Sequence, residues 1–241
     1  MRKFILISMI TLASVSLGAC RQNVTIKQDA PGQKAFLTDG QIYDLHSGKI
    51  ISSSELLADL ATAQHLIIGE KHDNAEHHQI ELWLIQNLLI QRPQGSVLLE
   101  MLTSEQQPRV NQVKDNPVVR DSRVQELLNW QKGWSWEMYG DIVMQLLRGP
   151  YPLLNANIGR EQILALYKKN EFPKGKKSTA PVVQEALRET IISMHEGNLE
   201  SQQLTSMLSI QQQLDRYMAR QLLSAPVPSL LIAGGYHASK S

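Results

Sequence analysis

The chain has 241 residues with 24 basic and 23 acidic side chains, a formal net charge of +1, and a single cysteine. This nearly neutral balance excludes the strongly basic surface typical of nucleic-acid-binding proteins. One cysteine excludes an internal disulfide, and the length fits one domain with a substantial hydrophobic core.

The first nineteen residues have the pattern of a secretory signal peptide. Arg2 and Lys3 form a basic start, and residues 4–17 form an uncharged apolar stretch that is shorter than the ~20 residues needed to span a bilayer. The sequence LGAC at residues 17–20 resembles the lipobox of bacterial lipoproteins. We therefore expect cleavage before Cys20 and attachment of lipid to its thiol.

The segment after the cysteine predicts how the protein is anchored. Residues 20–35 are polar and lack apolar periodicity, so we expect a flexible tether before a folded domain at residues 36–241. Arg21 stands where an inner-membrane retention signal usually has aspartate, which favours the outer membrane. Removal of residues 1–19 takes away two basic residues and no acidic ones, which leaves a net charge of −1.

Short apolar runs predict the strands of a parallel sheet. They lie at residues 65–68, 96–99, 151–154 and 229–233, and each is bounded by glycine, proline or polar residues. Continuous apolar runs, rather than alternating ones, are typical of strands that helices cover on both faces.

Amphipathic segments between these runs predict helices. An Asp-x-x-Glu capping box that starts at Asp73 indicates a helix from about Asn74 to Ile90, and a second helix is expected over residues 134–148.

A long stretch near the end of the chain lacks a convincing strand. It covers about residues 160–225 and carries apolar stripes at helical spacing within residues 182–194 and 204–222. The predicted fold class is therefore α/β, with a parallel β-sheet flanked by helices and a small all-helical lobe.

Polar side chains follow three of the predicted strands. Glu70 and His72 follow the first, Glu100 the second, and Tyr236 and His237 the last. Because the carboxyl ends of parallel strands meet at one edge, where ligands bind in such sheets, we expect these side chains to converge on one site.

The other polar residues near the first of these strand ends have simpler interpretations. Asp73 is interpreted as a helix cap, and His77 as a surface residue of the helix. His78 faces either the edge of the sheet or away from it, and the sequence leaves both orientations open.

At these positions the sequence resembles the ChaN-like haem-binding lipoproteins, iron-regulated bacterial surface proteins related to Tiki proteases and erythromycin-esterase-like enzymes. The resemblance runs from about Gly40 to the end of the chain. It rests on GEKHDNAEHHQ (69–79), LLEM (98–101), WSWEMYGD (134–141), NANIGRE (155–161) and AGGYHASK (233–240). Family members continue beyond the last segment, so the chain is expected to be truncated at Ser241.

The resemblance implies a dimer that holds two ferric haems face to face at the outer membrane and passes them to a haem receptor for iron uptake. Carried onto this sequence, Tyr236 is the candidate iron ligand, and His237 and Lys240 of the opposing subunit are the candidates for the propionates. The remaining cofactor-binding candidates are Glu70, His72 and Glu100. A phenolate is a hard anionic oxygen donor, which favours ferric iron.

A hydrolase dependent on a divalent metal is the alternative. The related Tiki and esterase branches use matching positions, and their counterparts here are Glu70, His72, Glu100 and His237. Carboxylate and imidazole ligands together bind metals that activate water. The chain has no HExxH signature and no serine nucleophile elbow, so haem binding is favoured over catalysis.

Overall fold

The computed structural model describes residues 4–7, 40–195 and 197–239. Cys20, the expected tether and Lys240 lie outside the described residues, as does most of the expected signal peptide. Within the described ranges, no helix combines the length and the apolar character needed to cross a membrane.

A parallel sheet forms the centre of the molecule, as the apolar runs predict. The strands in chain order are β1 (Phe4–Ile7), β2 (Ile42–Asp44), β3 (Lys49–Ile51), β4 (His65–Glu70), β5 (Ser96–Thr103), β6 (Leu153–Asn157) and β7 (Ser229–Gly234). The sheet has the order β1-β4-β7-β5-β6, while β2 and β3 form a separate antiparallel pair. Strand β1 belongs to the segment expected to be a signal peptide, and it pairs with the outer edge of β4.

Helices connect the strands and build the lobe. They are α1 (Ser53–Ala61), α2 (Ala75–Gln91), α3 (Gln107–Lys114), α4 (Asp121–Leu127), α5 (Trp136–Arg148), α6 (Arg160–Lys169), α7 (Pro181–Met194), α8 (Ser201–Ser224) and α9 (Gly235–Ala238). The described residues between 160 and 225 contain α6, α7 and α8 and no strand, which confirms the helical lobe. Ile191 of α7 packs there against Leu204 and Leu208 of α8.

The start of α2 corrects one detail of the sequence interpretation. Asn74, not Asp73, caps the helix, because its side chain accepts the backbone N–H groups of Glu76 and His77. A cap must immediately precede the first helical residue to reach those two groups, and Asp73 lies one residue too early. Asp73 instead forms an exposed ion pair with Lys71, at 3.3 Å.

The two faces of the sheet are covered by different helices. Successive side chains of a strand point to opposite faces, so alternate residues enter different cores. Leu66, Ile68 and Leu99 pack with apolar side chains of α1, α2 and α5, and we call this side the α2–α5 face. Leu98 and Leu231 pack with residues of α8, and we call this side the α8 face. The site residues at the strand ends divide between the same two faces.

Candidate functional site

The site lies where β4, β5 and β7 end, at the edge that the sequence analysis predicts. Glu70 is the last residue of β4, and the short helix α9 follows directly on β7. Glu100 does not follow its strand as expected, because β5 continues to Thr103, but the pairing of β5 with β7 stops at Leu99, directly before Glu100. Strand β7 lies between β4 and β5, with Gly234 paired to Glu70. The three strand ends are therefore neighbours in space.

Glu70 is the centre of the α2–α5 face. Its side chain is fully buried, and its Oε1 lies 2.7 Å from Nδ1 of His72 and accepts the hydroxyl hydrogen of Tyr139 at 2.5 Å. Burial alone would raise the pKa of Glu70, but the hydrogen bonds from His72 and Tyr139 and the charge of His78 hold it below its ordinary value. Glu70 is therefore ionised at neutral pH.

His72 is the part of this face that solvent reaches. Its side chain is 41 % exposed, and its ring meets the ring of Trp134 edge-on, with centroids 4.8 Å apart. Partial burial lowers the pKa of His72, but the hydrogen bond to Glu70 and the charge of Glu100 outweigh it and raise the pKa. His72 thus gives the rim of the site partial positive charge near neutral pH.

His78 and Glu81 are residues of α2, and their side chains lie on the buried side of this helix. The Nε2–H of His78 donates to the backbone carbonyl of His72 at 3.1 Å, and its Nδ1 lies 3.1 Å from Oε2 of Glu70 and 3.4 Å from Oε2 of Glu81. The side chain of Glu81 is fully buried, and burial raises its pKa to about 7. The open question about His78 is thus answered: it faces inward.

His77 is also buried, contrary to the interpretation of this residue as a surface side chain. Its residue exposure is 9 %, and its Nδ1 accepts the backbone N–H of Lys71 at 2.8 Å. This contact joins the loop after β4 to the first turn of α2, and helical periodicity does not encode it. Burial lowers the pKa of His77, so the ring is neutral and holds the loop after β4.

Glu100 and His237 form the part of the site on the α8 face. Oε2 of Glu100 accepts the backbone N–H of Gly234 at 2.6 Å, and its Oε1 lies 3.5 Å from Nε2 of His237. Nδ1 of His237 lies 2.6 Å from Oδ1 of Asp215 in α8. Burial lowers the pKa of His237, but the hydrogen bond to Asp215 and the charge of Glu100 raise it above its ordinary value.

Gly234 lies between the two halves of the site. A Cβ atom at this position would lie 2.7 Å from Nε2 of His72 and 3.5 Å from Oε2 of Glu100. The absence of a side chain lets His72 approach β7 and lets the backbone bind Glu100. Together with the contacts above, this arrangement brings Glu70, His72, Glu100 and His237 into one continuous cluster.

Tyr236 differs from these residues because it points outward. It lies in α9 and is 56 % exposed, and the described residues offer its hydroxyl no hydrogen-bond partner. The ring of the next residue, His237, points inward and its side chain is only 11 % exposed. The pair therefore presents one phenol to solvent next to a buried imidazole whose pKa is raised.

Sequence reasoning did not assign a role to Tyr139, Glu81 or Asp215. Glu81 carries a signal that was available, because a glutamate three residues after His78 in an otherwise apolar helix turn shares its face. Tyr139 lies in a segment that carries the family resemblance, without any chemical motif of its own. Asp215 lies beside an apolar stripe of α8, and nothing in its sequence context indicates His237 as its partner.

Comparison with known proteins agrees with the fold. Residues 56–241 match the family model described as haem-binding uptake proteins of the Tiki superfamily, ChaN. Among solved structures, the chain is similar to ChaN of Campylobacter jejuni, whose structure is described as showing cofacial heme binding. The TM-score is 0.76 and the identity 31 %, over 81 % of this chain and 80 % of that one. No curated protein sequence matches the chain.

Proposed function

We propose that this chain, which belongs to the ChaN family of haem-binding uptake proteins in the Tiki superfamily, binds ferric haem with Tyr236 as the iron ligand. The observation that supports this assignment is the exposed phenol of Tyr236 at the end of the central strand β7. A bulky planar ligand needs an open approach, and the described residues leave the hydroxyl free for it.

The surroundings of Tyr236 suit an anionic oxygen ligand. A phenol has an ordinary pKa of about 10, so the phenolate needs a nearby positive charge, which ferric iron supplies when haem is bound. The raised pKa of His237 adds positive charge beneath the tyrosine. Tyrosinate and ferric iron are a hard donor and a hard acceptor, which favours the oxidised state of the haem.

Two cations next to Tyr236 are proposed to bind the haem propionates. Lys240 follows four residues later and offers a point charge. The two ring nitrogens of His237 face the carboxylates of Asp215 and Glu100. On haem binding, a propionate carboxylate would replace one of these two partners. Glu70, His72 and Glu100 hold the edge of the sheet that carries Tyr236 in place.

The assembly we propose is a homodimer with two haems face to face. A haem bound through one tyrosine keeps one open face, and the structure of ChaN from Campylobacter jejuni is described as showing cofacial binding. A second copy that brings its own haem would cover that face. Light scattering after gel filtration should therefore show a dimer when hemin is present, and a monomer under those conditions would contradict the proposal.

The location we propose is the outer membrane, with a lipid anchor at Cys20 and haem delivery to a membrane receptor. The single cysteine follows a short apolar segment and small residues, and lipoprotein processing supplies the several acyl chains that stable attachment needs. Cys20→Ser should therefore move the protein to the aqueous phase in detergent partitioning. A variant that still partitions into detergent like the wild type would contradict the lipid anchor.

The experiment that tests the iron ligand is a hemin titration of Tyr236→Phe followed by absorption spectroscopy. Phenylalanine keeps the ring and removes the oxygen, so we expect loss of the ferric-tyrosinate band and at least about tenfold weaker binding. Tyr43→Phe is the matched control, because Tyr43 is 54 % exposed but lies in the separate β2–β3 pair. This control should bind hemin with the wild-type spectrum.

Two outcomes would overturn the assignment. If Tyr236→Phe binds hemin with an unchanged spectrum, another residue ligates the iron. If the protein instead hydrolyses a substrate in a metal-dependent way, with Glu70 and His237 essential and Tyr236 dispensable, the hydrolase alternative is correct. His237→Ala should keep the tyrosinate spectrum while weakening the haem complex, which separates ligation from propionate binding.

A further inference from the structure

A second cluster of ligating side chains comes from β4 and α2 and does not include the exposed Tyr236. One ligand atom each from Glu70, His78 and Glu81 lies within 4.8 Å of the others. The exposed fractions of these side chains are 0, 5 and 0 %. We propose that these three residues bind a divalent transition metal of the zinc type. This site is distinct from the haem site and does not rest on haem binding.

Several polar atoms of this cluster lack hydrogen-bond partners among the described residues. Oε2 of Glu70, Nδ1 of His78 and both carboxylate oxygens of Glu81 are buried without a hydrogen bond from any described group. Buried polar atoms are normally satisfied, because an unpaired one costs about 1–3 kcal/mol and a buried charge costs more. These four atoms belong to three neighbouring side chains, and a bound cation would satisfy all of them together.

The orientation of the His78 ring also favours a metal site. A backbone carbonyl can only accept a hydrogen bond, so its contact with the carbonyl of His72 places the proton of His78 on Nε2. When the ring is neutral, its lone pair is therefore on Nδ1, which faces the two carboxylates. Histidines that bind metals are oriented in the same way, with the other ring nitrogen donating to a carbonyl or a carboxylate.

The hydrogen bonds of Glu70 orient its carboxylate toward the cluster. The hydroxyl of Tyr139 and Nδ1 of His72 both bind its Oε1, which leaves Oε2 directed at the cluster. Outer contacts of this kind fix a ligating carboxylate before the metal arrives. Glu81, three residues after His78 on the same face of α2, completes the set from the helix side.

Distances and chemistry indicate the class of metal. Nδ1 of His78 lies 3.1 and 3.4 Å from the nearest oxygens of Glu70 and Glu81. Ligands about 2.0–2.1 Å from a tetrahedral zinc ion lie roughly 3.4 Å apart, which matches this spacing. One imidazole and two carboxylates balance a charge of +2 and suit zinc, manganese or ferrous iron, while calcium and magnesium prefer sites with oxygen ligands only.

The test measures zinc binding to the purified, haem-free protein after treatment with a chelator. Equilibrium dialysis followed by elemental analysis should show one zinc ion per chain. Glu81→Gln keeps the shape and one amide oxygen but removes the charge, and it should weaken zinc binding at least about 100-fold. Glu76→Gln changes an exposed glutamate on the same helix and should bind zinc like the wild type.

Further variants locate the metal within the edge of the sheet. Tyr236→Phe and His237→Gln should both keep the zinc ion, because neither residue belongs to the cluster. Loss of zinc in His237→Gln together with retention in Glu81→Gln would place the metal at the hydrolase residues and overturn the proposal.

Metal binding to the wild-type protein tests the proposal even if a variant fails to fold. Zinc should raise the unfolding temperature of the wild-type protein, and cobalt in its place should give the visible absorption of a four-coordinate site. Wild-type protein that binds neither ion would show that protons alone neutralise the cluster, and the proposal would be wrong.

Discussion

The α2–α5 face and the α8 face each bury one strand carboxylate at the edge of the sheet, but they surround it differently. Glu100 on the α8 face accepts a hydrogen bond from the backbone N–H of Gly234 with one carboxylate oxygen. Its other oxygen faces the imidazole of His237, so both oxygens face a donor. Glu70 on the α2–α5 face has donors on one oxygen only, and its other oxygen shares a buried space with Glu81.

This difference separates two kinds of site at one edge of the sheet. Where donors and acceptors match, the buried groups hold the backbone in place, and the proposed ligand binding falls to an exposed neighbour, Tyr236. Where acceptors exceed donors, the buried groups themselves need a cation. The following predictions test whether the two faces differ in this way.

The largest expected effect is on the α2–α5 face, in the variant Tyr139→Phe. It removes a donor from the buried Glu70 and should cost about 2–3 kcal/mol of the free energy of unfolding, measured with urea. Tyr151→Phe is the matched control, because Tyr151 is 2 % exposed and its hydroxyl has no hydrogen-bond partner. Because its buried hydroxyl gives up no hydrogen bond to a described group, its removal should leave the free energy of unfolding unchanged or raise it. Equal losses in both variants would show that ring packing, not the hydrogen bond, stabilises Glu70.

A smaller effect, which depends on pH, is expected on the α8 face in Asp215→Asn. Because folding raises the pKa of His237, the stability contributed by its proton is fully present below the unfolded pKa of about 6.5. It declines as the pH rises through the folded value. Asp215→Asn should therefore cost about 1–2 kcal/mol at pH 5 and clearly less at pH 9, measured by urea unfolding.

The matched control for that experiment is Asp121→Asn. Asp121 pairs with Arg148 at the surface, with both side chains more than 60 % exposed. The loss should stay within about 1 kcal/mol and change little between pH 5 and pH 9, because an arginine keeps its charge over that range. A pH-independent loss in Asp215→Asn would refute the role of the His237 proton.

The smallest effect on stability is expected between the two faces, in Gly234→Ala. The new methyl group would meet Nε2 of His72 at 2.7 Å, but this ring is partly exposed and can move outward. We expect a loss below about 1 kcal/mol and a fall in the pKa of His72, measured by NMR titration, as the ring leaves Glu70. Gly133→Ala, at a position with open space, should change neither quantity. An unchanged pKa would show that His72 does not depend on the close approach to β7.

The amino-acid sequence by itself determined the layout of this protein. Four apolar runs became neighbouring parallel strands, and the stretch without such a run became the helical lobe, because the length and periodicity of apolar segments are local properties. The meeting of Glu70, Glu100 and His237 at one edge also followed, since parallel strands all end on the same side.

Only the tertiary structure decided which partners these residues have. The alternation along β4 and β5 places Glu70 and Glu100 on opposite faces, and each then meets the helix that happens to cover its face: Tyr139 from α5 and, through His237, Asp215 from α8. Periodicity shows that α2, α5 and α8 have apolar sides, but it does not show which polar side chain at their margins will face a given strand end. The positions of His77 and His78 likewise depend on contacts outside their helix, because both rings bind backbone groups of the loop after β4.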